Sequence, residues 1–236
     1  MVLAAGSVMA DSKDDVKAAA AALGSAANYT WQTTVDMGAN SPFQMGPTDG
    51  KTEKDGYTTV SMSFGDNTSM IALKGTNAAV QTPDNGWQTV AEASQGGGGG
   101  FNPGMFAVRQ AENLKLPAVE AANLAGLAAD LKADGDKITG ALTEDGAKGL
   151  ASFGGRGRRG GGPGGPGGGG PQITNPKGTV TFWVANGKLT KYSFHVTGTM
   201  NRGDQDMEID RTTTVAISNV GTTKVEVPDD AKKKLQ

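Results

Sequence analysis

Asp204, Asp206, Glu208 and Asp210 alternate along one segment, so an extended strand would set all four carboxylates on one face. Four carboxylates attract Ca²⁺. Two-residue spacing, however, puts neighbours about 6.8 Å apart along a strand, and the loop of a calcium hand is missing. A solvated outer face is therefore expected. The one histidine, His195, sits between Phe194 and Val196 and opposite to them. With no second His and no Cys it has no metal or nucleophile partner at a readable spacing, which predicts a surface or groove-edge position. Gly155–Arg156–Gly157–Arg158–Arg159–Gly160 fits G-x-G-x-x-G by count. It lacks the strand before and the helix after that make such a loop a phosphate site. Its arginines also resemble those of RGG segments, although Phe153 is the only aromatic nearby to stack a base. Gly50–Lys51–Thr52 resembles the end of a P-loop, but Met45 stands where that loop needs Gly. Arg202–Gly203–Asp204 matches an integrin tripeptide and reads equally as a turn. No G-x-S-x-G, no H-E-x-x-H and no acid/base pair is apparent. None of this specifies an enzyme.

The elements that must carry these residues follow from periodicity. Ser12 opens a helix with Val16, Ala20, Leu23 and Ala27 at helical spacing. At Asn28 the period falls to two: Tyr29, Trp31, Thr33, Val35 and Met37 share one face of a strand. Val60, Met62 and Phe64 predict another. Further strands are expected over 69–74, 78–82 and 87–91, with turns about ten residues apart, as in an antiparallel meander. Pro117 and the run Val119, Leu124, Leu127, Leu131 predict a helix ending at Asp134–Gly135. A short strand over 138–142 and a helix over 144–153 capped by Thr143 come next. Asn186–Gly187 between two alternating segments predicts a type I′ hairpin. Strands over 211–218 and 223–227 and a short basic helix complete the chain. Segregated helices and antiparallel strands give an α+β fold.

Composition bounds the class. Gly supplies 37 of 236 residues, about 16% against an average near 7%. The excess lies in Gly96 to Gly100 and in the Gly/Pro/Arg tract from Gly154 to Gly170. There is no Gly-X-Y period, so the chain is no collagen. These two runs have too few side chains to offset the entropy of ordering, which predicts disordered loops at 95–104 and 154–172 in an otherwise single domain over 11–236. Both flank the helical middle, so residues 105 to 153 could form a movable cover. A net charge of −2 gives no whole-chain attraction to nucleic acid or anionic membrane. Zero Cys excludes disulfides and thiolate chemistry. No apolar run reaches the ~20 residues of a transmembrane segment. Residues 1–10 end in Val8 and Ala10 before charged Asp11 to Asp15, which reads as the residue of a signal peptide and predicts export.

The order of elements resembles the LolA/LppX-like envelope carriers. Residues 178–184, 187–192 and 220–228 resemble stretches of exported bacterial proteins with that fold. The resemblance spans about residues 12 to 236 outside the Gly tracts. It implies a curved antiparallel sheet, an open half-barrel, packed over helices, that shields lipid or lipoprotein acyl chains in an apolar cavity. The lipobox Cys of the mycobacterial branch is missing, which implies a soluble form. No family residue role maps onto this chain.

The expected function is that of an exported, non-enzymatic protein, periplasmic or secreted, binding a lipid or acyl chain in a groove between sheet and helices. The expected lining is Tyr29, Trp31, Val35, Phe64, Trp87, Leu127, Phe182 and Trp183. The same residues equally fit a packed core. In that alternative the chain is an interaction domain whose Arg156, Arg158 and Arg159 contact an envelope protein or a polyanion. A third alternative, an RGG-type nucleic-acid binder, requires a cytoplasmic location; nucleic acid is not the expected partner. No cofactor and no metal is expected.

Overall fold

The computed structural model describes residues 12–38, 45–64, 67–82, 86–95, 103–152, 172–202 and 205–236. The Arg-bearing tract and the N-terminal ten residues lie outside them. The helical spacing after Ser12 yields α1 (Ser12–Ser25), with Val16, Ala19, Ala20 and Leu23 buried. The switch to period two yields β1 (Asn28–Asp36). A meander follows: β2 (Thr48–Glu53), β3 (Tyr57–Phe64), β4 (Asn67–Lys74), β5 (Asn77–Thr82) and β6 (Gly86–Thr89). Three helices come next, α2 (Val90–Gln95), α3 (Pro103–Asn113) and α4 (Pro117–Leu127). Then come the hairpin β7 (Ala128–Asp134) and β8 (Lys137–Leu142), and α5 (Glu144–Ala151). The long strands β9 (Gln172–Ala185), β10 (Lys188–Arg202) and β11 (Gln205–Ser218), with α6 (Asp229–Lys234), finish the chain.

All strands join one open antiparallel sheet in the order β6-β5-β4-β3-β2-β1-β11-β10-β9-β8-β7. Every neighbour is a sequence neighbour except β1 and β11, which meet in the middle. This topology explains where the helices lie. Strands β6 and β7 are the two edges of the sheet, yet only α2, α3 and α4 separate them in sequence. The connection must therefore cross a face of the sheet. A twisted sheet of this width curls, and the crossing helices fill the inside of the curve.

Separate cores result. The main one lies between the helices α1 to α5 and the inner face, which includes Tyr29, Val60, Ile71, Val80, Phe182 and Tyr192. Another lies on the outer face of β4 and β5, where Ala72 and Ala79 meet Val227, Ala231 and Leu235. The C-terminal segment is thus strapped to the back of the sheet. Asn77 Nδ2 donates to the Leu235 carbonyl at 3.1 Å, and Lys234 pairs with Glu92 at 2.8 Å.

Four sequence expectations are corrected. The helix expected to run to Asp134 ends at Leu127, and Ala128–Asp134 is strand β7, because pairing with β8 outweighs the helical spacing of Leu131. Residues 90–91 belong to α2, not to the strand before it. Residues 223–227 are not a strand; Thr223 instead bonds Asn219 and Asn28. The middle segment is also no separate cover, since β8 is hydrogen-bonded to β9 along the sheet. At the loop boundaries, Gln95 closes α2, Pro103 opens α3 and Gln172 opens β9. The Asn186–Gly187 turn forms as expected, both residues having positive φ (51° and 71°).

Candidate binding seam between sheet and helices

The inner face presents an aromatic wall. Trp31 is 3% and Phe182 0% exposed. Over this face lies α1, with Val16, Ala19, Ala20 and Leu23 buried, and α4 packs on α1 with Ala118, Ala121, Leu124 and Ala125 buried. The Trp31 indole lies flat across Gly50, its cross-strand partner on β2; a Cβ there would stand 1.9 Å from Trp31 Cε2. Gly50 is therefore required as glycine by packing, not as part of a phosphate loop. Trp31 Nε1 donates to Thr52 Oγ1 at 3.2 Å, which satisfies the buried indole.

Two hydroxyls tie this wall to the helices. Tyr192 Oη on β10 donates to Glu120 Oε2 on α4 at 2.6 Å. Tyr29 hydrogen-bonds Thr52 and the backbone of Ala118. Burial pushes the Glu120 carboxyl up from the ordinary range, and the Tyr192 hydrogen bond and Lys115 offset part of that. Burial, then the Glu120 charge, pushes the Tyr192 phenol well up, so it stays a donor. At the far end of the seam, the Arg211 guanidinium donates to the Leu150 carbonyl in the last turn of α5, a favourable place for a cation.

The expected lining residues fall into separate places. Tyr29, Trp31 and Phe182 belong to the main core, and Leu127 packs against it half-buried. Val35 is half-buried near the end of β1, opposite Thr213. Trp87 packs in the outer cluster with Tyr57 and Val225. Trp183 is on the outer face, where Lys191 Nζ stands 4.4 Å from its ring centroid. Phe64 ends β3, with its side chain outside the described residues, as are Arg156, Arg158 and Arg159. Adjacent strand residues point to opposite faces, so Phe182 and Trp183 cannot line one groove.

Sequence reasoning missed the Glu120–Tyr192 pair and the partner of His195. Strand pairing brings His195 Nε2 to 2.7 Å from Asp210 Oδ1, both on the outer face and exposed. Asp206, Glu208 and Asp210 are exposed as expected, and Ile209 points inward. Among the described residues no group of His, Asp and Glu could hold a metal ion. No helix of the described residues is long and apolar enough to cross a membrane.

No family model matches the chain, and no curated protein matches it significantly. Among solved structures it is similar to the Mycobacterium tuberculosis lipoprotein LppX (13% identity, TM-score 0.49), over 90% of this chain and 96% of that one. It is also similar to LprF from Mycobacterium bovis (12%, TM-score 0.44, 93% and 96%). A third is a LolA superfamily protein from Nitrosomonas europaea (9%, TM-score 0.33, 94% and 96%). Neither a ligand nor a partner follows from these similarities. The fold, an open antiparallel sheet with helices over its inner face, is carried by the strand order of the chain itself.

Proposed function

We propose that this chain is an exported, non-enzymatic protein that takes an apolar ligand, a lipid or acyl chain, into the seam between the sheet and the helices α1 and α4. The observation that carries this reading is the make-up of the seam: an aromatic and aliphatic wall on the sheet, and the alanine-rich pair α1 and α4 over it. Alanine packing surrenders little contact area per residue when a helix lifts. An acyl chain entering there would replace helix–sheet contacts with its own. Each methylene removed from water contributes about 0.8 kcal/mol, so a long chain is needed to offset association costs and the separation of the layers.

Native mass spectrometry of the protein purified without detergent tests the reading. An added mass of one lipid, lost on organic extraction, supports it. A bare chain, together with no uptake of a fluorescent fatty acid, removes it. Edman sequencing of the protein from its host tests export; a start at Asp11 is expected.

The full burial of Phe182 and Tyr192 favours a second reading. There the core is only a core, and the Arg/Gly tract contacts an envelope protein or polyanion. Deleting residues 154–170 separates the two. Loss of partner capture with unchanged lipid content places the interface in the tract.

A further inference from the structure

The outer face of β8 to β11 and β1 carries no helix among the described residues. It is built of hydroxyls in register. Thr139, Thr181, Ser193, Thr214 and Thr34 are successive cross-strand partners and form one row across five strands. Thr139 and Thr181 bond at 3.2 Å, and Ser193 and Thr214 at 3.0 Å. The next row runs through Thr179, His195 and Thr212. On the other side of the first row lies Trp183, half-buried, with Lys191 over its ring.

Threonine alone is what an exposed strand favours, so the rows by themselves indicate nothing. Two further features do. Where β8 stops at Leu142 and β9 runs on, the surface sinks into a hollow of about 470 Å³. Its lining includes Glu144, Lys177, Thr179, His195 and Thr197 around Pro176. The hollow, the hydroxyl rows and the Trp183 ring form one continuous strip. The strip's charges are balanced as well: Lys137, Lys177 and Lys191 stand against Asp36, Asp210 and Glu144. A polyanion would also meet the exposed carboxylates of Asp206 and Glu208 beside it.

We infer that this outer strip binds a neutral, polyhydroxylated chain, an oligosaccharide, with one sugar in the hollow and another against Trp183. Hydroxyls about 4.8 Å apart along a row, with rows about 6.8 Å apart, offer paired donors and acceptors to sugar hydroxyls. The Pro176 ring, and the Trp183 indole once Lys191 swings off it, offer apolar surfaces to the C–H faces of the sugar rings. Balanced charge fits a neutral chain better than a nucleic acid or an acidic polymer. This site lies on the opposite face of the sheet from the lipid seam and does not depend on it.

Affinity electrophoresis of the whole chain through gels containing laminarin, dextrin, hydroxyethylcellulose or galactomannan tests it, with dextran sulfate as the charged comparison. Retardation by at least one neutral polymer is expected. Trp183→Ala is expected to weaken it about ten-fold, the scale of a truncated aromatic anchor. Thr181→Val, which keeps the strand shape and removes one hydroxyl, is expected to weaken it several-fold. Lipid content of both variants should be unchanged. Retardation by dextran sulfate alone, by no polymer, or equally in wild type and Thr181→Val overturns the inference, whether or not Trp183→Ala folds.

Discussion

Tyr192 Oη and Glu120 Oε2 lie 2.6 Å apart, joining the centre of the sheet to α4 across 72 residues of sequence. Tyr192 is fully buried, and the Glu120 carboxyl turns inward to meet it. In Tyr192→Phe the ring would still pack, but the carboxyl would lose its donor. We expect destabilisation of about 1–3 kcal/mol, the penalty for stranding a buried polar group. Urea unfolding checks this. A change below about 0.5 kcal/mol, within the usual scatter for harmless substitutions, would mean that water replaces the hydroxyl.

The same pair sets a pH dependence. Burial raises the Glu120 pKa above its ordinary 4.5 in the folded state. A raised carboxyl holds its proton more tightly folded than unfolded. Its contribution is therefore complete below the ordinary value and is lost as pH rises through the raised one. Exposed Glu92 and Asp229 shift the other way, through their lysine partners. Comparison with Glu120→Gln isolates the buried group. Unfolding midpoints of wild type should fall relative to that variant as pH rises from 4.5 toward neutrality. Parallel curves would show that Glu120 titrates normally.

Much of this fold was legible in the sequence, and the failures share one cause. Alternation located β1, β3 and the β9–β10 hairpin because each has one buried face. Strand β2 went unread: Thr48 to Glu53 is polar, and Gly50, which breaks the pattern, is there to admit Trp31. The end of α4 was misplaced because Leu124, Leu127 and Leu131 keep helical spacing while β8 supplies hydrogen bonds that sequence alone does not reveal. Glu120 gave no signal at all. A single acid in an alanine-rich helix is ordinary until the crossing of α4 over β10 puts Tyr192 beneath it. His195–Asp210 likewise depends on the β10–β11 register.

The Trp31–Gly50 contact makes a sharp mutational target. In Gly50→Ala the methyl would occupy the space of the indole ring, so Trp31 must leave its position or β2 must move. Overpacking of this kind destabilises by about 1–3 kcal/mol or more. Tryptophan fluorescence during urea unfolding should show both the lower midpoint and a shifted native emission. A Gly50→Ala protein with native emission and midpoint would mean that β2 is not seated against Trp31.

The main core and the C-terminal strap lie on opposite faces of the sheet, so they should respond independently. Leu235 is buried against Ala72 and Ala79 and shares no partner with Tyr192. Leu235→Ala removes most of a buried side chain at the strap and should cost about 2–3 kcal/mol, the low end for such truncations, because the strap can settle inward. Combined with Tyr192→Phe, the two effects should add to within about 0.5 kcal/mol, as expected for sites without shared contacts. Hydrogen exchange distinguishes the routes: Leu235→Ala should speed exchange in β5 and β6 first, and Tyr192→Phe in α4. Coupling well above that margin would mean that the strap on the back of the sheet and the helices inside it move as one unit. Entry of an acyl chain beneath α4 would then have to disturb the C-terminus as well.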